Sequence, residues 1–229
     1  DNKVLTIISE TPVTIKNTDP NTATTDRIEV KKDVSANITL AGVNIDVSAL
    51  ENKAAFKIAD DSLPFDFITL ANDSVNTLKS GSNCAGLQMN KYLCIQGEGK
   101  LIATGGDGGA GIGGGSYIAG SWITISGGTV TATGSGGGAG IGGGNNGSGS
   151  GITMNGDVVL YTSSINGEHT FSKGVIYDGV TVSDNAGSYT LTGGVGTVYG
   201  NPNVSGFTEP RNSILGTNLA DTDYITVTV

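Results

Sequence analysis

The chain has 229 residues, 38 of them glycine, with 14% charged residues and a formal net charge of −9. That acidity repels phosphate backbones and anionic lipid and so excludes nucleic acid as a partner; no run of 18 apolar residues occurs, which excludes a membrane-spanning helix. Val, Ile and Thr recur throughout at low charge density, unlike a disordered acidic chain.

In chain order, Val4-Leu5-Thr6-Ile7-Ile8 and Val13-Thr14-Ile15 alternate as strands do, and residues 1–25 are expected to be N-terminal strands or a cap. From residue 26 the chain becomes periodic. The seven letters GAGIGGG occur at Gly109 to Gly115 and again at Gly138 to Gly144, each followed by a β-rich phrase, and both phrases recur after 29 residues. Self-similarity at a period of about 20 to 50 residues marks a repeat architecture. Looser copies of the anchor lie at Ala85-Gly86-Leu87, Ala55-Phe56-Lys57 and Arg27-Ile28-Glu29.

A second strand follows each anchor: Ile38-Thr39-Leu40, Ile68-Thr69-Leu70, Leu93-Cys94-Ile95, Ile123-Thr124-Ile125 and Ile152-Thr153-Met154. The outer two members are apolar and the middle one faces water, the period of a strand with one buried face. A third strand follows a short turn, as in Val43-Asn44-Ile45, Leu101-Ile102-Ala103 and Val130-Thr131-Ala132. Three short strands per coil predict an all-β, single-stranded parallel β-helix (β-solenoid), right-handed by the crossover preference, with six or seven coils over residues 26–199 and the clearest repeats at 55–162. Residues 200–229 hold Pro202 and Pro210, then the alternating Tyr224-Ile225-Thr226-Val227-Thr228-Val229, an irregular excursion ending in a strand that caps or joins another chain.

The register groups the residues just before each second strand. Phe67, Tyr92 and Trp122 would then stack outward in one file between Asn37 and Gly151, with Tyr117 in the loop before Trp122 widening the platform. Such a strip binds sugar rings when polar neighbours orient the hydroxyls; equally, it is an aromatic ladder that stabilises the solenoid by contact alone. Thr39, Thr69, Thr124 and Thr153, interrupted by Cys94, form a second outward file that β-propensity explains. Carboxylates gather at turns, and solenoid corners offer carbonyl oxygens to Ca2+; Asp60, Asp61 and Asp107 are the candidate ligands, and no cofactor is required. Cys84 and Cys94 are placed outward on successive strands across a corner, where side chains pointing apart do not meet disulfide geometry. The glycine clusters precede no helix and no P-loop Lys, so they cradle no nucleotide. Catalysis is not expected: Lys57, Lys79, Lys91 and Lys100 are scattered, His169 lies where the repeat fails, and no outward carboxylates line up for polysaccharide cleavage.

The phrase GGDGGAGIGGG from Gly105, with ITISGGTVTATG from Ile123 and the second GAGIGGG, resembles repeats of bacterial extracellular parallel β-helix proteins of gut and soil Firmicutes and their relatives. Many of these are labelled carbohydrate-binding-domain-containing or adhesin-like. The resemblance covers roughly residues 27–162 and implies an extracellular, non-catalytic β-helix, in some relatives binding acidic plant polysaccharide with calcium. The matching positions are framework Gly, Ile and Thr, so no binding residue carries over. The opening at Asp1, without Met or a leader, fits a mature secreted protein or a trimmed stretch of one. Two expectations follow: a secreted or cell-surface adhesion or polysaccharide-binding module using the aromatic strip, or a subunit of an extracellular fibre whose copies join head-to-tail or by strand exchange through their termini.

Overall fold

Alternating apolar residues at coil-length spacing leave each strand one dry face, and stacking like strands is the arrangement that covers all of them at once. The computed structural model describes residues 2–59, 65–89, 91–167, 169–177, 181–184, 187–190, 195–199 and 226–228, with side chains through residue 170. It is all-β, and its parallel sheets wind into a β-solenoid of about five turns. The first sheet takes β1 (Val4–Ile7), β3 (Arg27–Val30), β6 (Phe56–Ile58), β9 (Leu87–Gln88), β12 (Ile112–Gly113), β15 (Ile141–Gly142), β18 (Ser164–Asn166), β20 (Thr181–Asp184) and β21 (Gly187–Thr190) in that order. The second takes β2 (Val13–Ile15), β4 (Asn37–Leu40), β7 (Asp66–Leu70), β10 (Leu93–Gly97), β14 (Ile123–Thr133), β17 (Ile152–Thr162), β19 (His169–Tyr177), β22 (Val195–Tyr199) and β23 (Thr226–Thr228). A third wall of β5 (Asn44–Asp46), β8 (Val75–Lys79) and β11 (Lys100–Thr104) merges with it, because β14 and β17 each run unbroken round the corner. The pair β13 (Gly120–Ser121) and β16 (Gly149–Ser150) forms a small extra wall in the two glycine-rich coils.

The core consists of vertical files. Ile28, Phe56, Leu87, Ile112, Ile141 and Ile165 stack in register through the first sheet, all buried. Ile38, Ile68, Ile95, Ile125 and Met154 do so through the second. β1 and β2 continue the same parallel stacking below, pairing with β3 and β4. At the other end the pairing turns from parallel to antiparallel, β20 with β21, β19 with β22 and β22 with β23; the solenoid has about five turns where six or seven were expected.

Four expectations are corrected. Ile68-Thr69-Leu70 does not lie against Leu93-Cys94-Ile95; β7 is shifted by two residues, so that Leu93 opposes Asp66, Ile95 opposes Ile68 and Gly97 opposes Leu70. A two-residue slip leaves every side chain on its own face, so alternation alone does not reveal it. The threonine file consequently splits: Thr39 and Thr69 align with Gln96, while Thr124 and Thr153 align with Cys94. Separate second and third strands give way to single 11-residue strands in the glycine-rich coils, bent where the register shifts between Ile125 and Gly127. Cys84 is buried rather than outward; both thiols are free.

Glycine has a steric role in those coils. Gly113 and Gly142 occupy the same left-handed position in successive copies, φ +131° and +129°, and a Cβ on Gly113 would sit 2.0 Å from the Gly142 carbonyl oxygen. Backbone packs on backbone there, and no other residue fits.

Candidate functional site

The register slip decides which rings meet. Phe65, not Phe67, lies beneath Tyr92: their ring centroids are 4.8 Å apart at an interplanar angle of 46°, and Tyr92 to Trp122 is 5.0 Å at 31°. The backbone holds these residues in line, since Asp66 N–H donates to the Tyr92 carbonyl at 3.1 Å and Leu93 N–H to the Trp122 carbonyl at 3.0 Å. Ser35 stands at the foot, its hydroxyl donating to the Phe65 carbonyl at 2.5 Å. Gly151 closes the top with φ +63°, matching Trp122 at +64°, and a Cβ on Gly151 would fall 2.6 Å from indole Cε3. The indole therefore rests on bare backbone of the next coil.

All three rings remain exposed, Phe65 at 53%, Tyr92 at 42% and Trp122 at 47%. Tyr92 has a neighbour on both faces, so the file offers solvent tilted edges and the wedges between rings rather than a flat platform. Phe67, 39% exposed, occupies the adjoining outward file with Asn37, Cys94, Thr124 and Thr153, so it lies beside the ladder and not in it. A polar border follows one file further on, where Gln96 Nε2 donates to Thr69 Oγ1 at 3.1 Å and Ser126 Oγ lies 3.7 Å from Cys94 Sγ.

Behind the ladder sits an ion pair that sequence reasoning missed. Asp66 and Lys91 directly adjoin Phe65 and Tyr92 in the chain; Lys91 Nζ and Asp66 Oδ2 are 2.9 Å apart, with side chains only 3% and 1% exposed. Ala36 N–H donates to Asp66 Oδ1 at 2.7 Å, and Lys91 Nζ donates to the Val34 carbonyl at 3.4 Å. Asp66 occupies an inward position that Leu93 fills in the next coil. A charge there is tolerable only when paired and hydrogen-bonded, which ties β7 to β10 in the shifted register. The available signal was an acidic residue at inward parity, two before Ile68.

Tyr117 does not widen the strip. It stands in the turn before β13, 76% exposed with φ +62° and its N–H donating to the Asn145 carbonyl at 2.7 Å, in contact with none of the three rings. Asp107 is an exposed turn residue whose carbonyl accepts from Asn83 N–H at 2.7 Å. Among the described residues no three His, Cys, Asp or Glu side chains gather to hold a metal, and Asp60 and Asp61 lie outside those residues. His169 Nδ1 lies 3.0 Å from the Gly167 carbonyl oxygen, away from any described carboxylate cluster.

Fold and site together define a class, a parallel β-solenoid carrying an outward aromatic ladder on its second sheet. No family model, no curated protein and no solved structure matches the chain.

Proposed function

We propose that this protein is a non-catalytic, extracellular β-solenoid that adheres to polysaccharide through the face carrying Phe65, Tyr92 and Trp122, with Phe67 at its margin. One observation carries the reading: three stacked rings, each about half exposed, share one regular surface with a file of Thr, Gln and Ser hydrogen-bonding groups two files away. Ring edges and wedges supply apolar contact to sugar C–H faces while hydroxyl and amide groups orient the sugar hydroxyls, the usual division of labour in carbohydrate sites. The ladder advances by one strand spacing per coil, close to the length of a pyranose unit, so an extended chain running along the solenoid axis meets one ring per sugar. No step of bond cleavage is part of this reading, and calcium is left out of it because among the described residues no three His, Cys, Asp or Glu side chains gather.

The test is a glycan array followed by titration calorimetry on the best polysaccharide. Trp122→Ala and Phe65→Ala should each weaken binding about tenfold or more while circular dichroism stays that of the parent, an effect of the size expected for one interfacial aromatic. Unchanged affinity in both variants, with the fold intact, would overturn the assignment of this face.

A further inference from the structure

The walls of the solenoid differ in charge. On the first sheet the outward positions include Arg27, Glu29 and Lys57, with Glu29 in register against Lys57. On the third wall they include Asp46, Lys79 and Lys100, and Lys79 Nζ lies 3.3 Å from Asp46 Oδ2. The second sheet is different: between the ladder and the bend, its outward files from β4 to β17 consist of Asn, Thr, Gln, Ser, Cys and aromatic side chains, and among the described residues not one carries a charge.

Two charged residues do adjoin the rings, and both are turned away from solvent. Asp66 and Lys91 neutralise each other at 2.9 Å behind Phe65 and Tyr92, with side chains 1% and 3% exposed. Charged residues return at the margins: Lys32 and Asp33 in the turn before Ser35, Glu98 and Asp157 past the bend, and Lys173, in register with Asn155, two coils above Trp122. The ladder and the polar files beside it thus form a neutral surface on a chain whose net charge is −9.

A polysaccharide laid on this surface meets hydrogen-bonding groups but no cation. Thr and Ser hydroxyls and the Gln and Asn amides both give and accept hydrogen bonds, the pairing that sugar hydroxyls need. A uronate or sulfate would be drawn out of water against the rings with nothing of opposite sign to receive it, a cost that an uncharged sugar does not incur. The net negative charge of the chain repels a polyanion at longer range as well. We infer, on the strength of the glycan-binding face proposed above, that its ligand is a neutral polysaccharide, with hydroxyls and no carboxylate or sulfate, and that the charge-free surface is what turns acidic glycans away. This choice departs from the acidic polysaccharide implied by the resemblance of the repeats.

Titration calorimetry of the full chain against two sets of polymers tests this: glucomannan, xyloglucan and mixed-linkage β-glucan in one, polygalacturonate, alginate and hyaluronate in the other. Binding is expected from the neutral set alone, with a Kd that changes less than about twofold between about 0.05 and 0.5 M NaCl, since no ion pair is there to screen. Oxidising the primary hydroxyls of the bound polymer to carboxylates should weaken it about tenfold or more. Thr124→Lys, which puts a cation on the open surface two residues from Trp122, should narrow that gap and make binding of the oxidised polymer fall with salt. An acidic polymer bound as tightly as a neutral one, and released in Trp122→Ala, overturns the choice of ligand and leaves the face in place. Thr124→Lys discriminating as the parent does overturns charge as the cause. Binding of a neutral polymer unmoved by both Trp122→Ala and Phe65→Ala, or no binding of either set, overturns the face and this choice with it.

Discussion

The coils around Phe56 to Gln96 and the glycine-rich coils from Gly105 to Ser150 reach the same geometry by different means. In the lower coils large apolar side chains fill the interior, and buried polar groups peg the walls. Asn76 shows this: its Oδ1 accepts from Gly42 and Val43 N–H, both at 2.9 Å, while its Nδ2 donates to Ser74 Oγ and the Lys100 carbonyl. Ser80 does the same at the next corner, accepting from Ala55 N–H and donating to the Ala85 carbonyl. In the upper coils Ile112, Ile125 and Ile141 still fill the core, but at the glycine positions between them backbone meets backbone, as at Gly113 on Gly142. Regular sequence is the consequence of the second solution, because only glycine fits and every copy must repeat it; the first solution admits many residues and so blurs the repeat.

That contrast predicts where each region breaks. The largest effect is expected from Asp66→Ala, which strands the Lys91 ammonium in the core and should cost about 3 to 5 kcal/mol by urea unfolding. The double replacement Asp66→Leu, Lys91→Met should recover most of that loss, since a buried pair exchanged for apolar groups is often neutral. A smaller loss, more than about 1 kcal/mol, is expected from Gly113→Ala, where a positive φ and a carbonyl contact both oppose the methyl group; Ala103→Gly in the apolar third wall is the comparison. Smallest is the difference between the two cysteines. Burial pushes the Cys84 thiol up, against the weaker pull of Lys57, Arg27 and Lys53, whereas Cys94 is part-exposed. A thiol reagent near neutral pH should label Cys94 well before Cys84, and equal rates would mean that the lower coils open readily.

The same contrast explains what could be read in advance. The solenoid, its parallel stacking and the upper register were legible because Ile112 over Leu87 and Ile141 over Ile112 follow from repeated letters. The slip between β7 and β10 was not, because shifting by two preserves inside and outside, and what marks the register is tertiary: Asp66 on Lys91, Phe65 on Tyr92 and Gln96 on Thr69. The candidate face was therefore foreseen with Tyr92 and Trp122 correct, Phe67 one file away and Phe65 overlooked. Burial of Cys84 escaped notice for a related reason, since corners break the alternation from which facing is inferred.

The shifted register also sets the most direct test. Two double-mutant cycles for stability, Phe65→Leu with Tyr92→Leu and Phe67→Leu with Tyr92→Leu, compare the ring pair in contact with the pair the repeat letters alone would align. A coupling of about 0.5 to 1.5 kcal/mol in the first cycle and close to zero in the second is the predicted result. Coupling in the second cycle and none in the first would contradict the register on which the aromatic face rests.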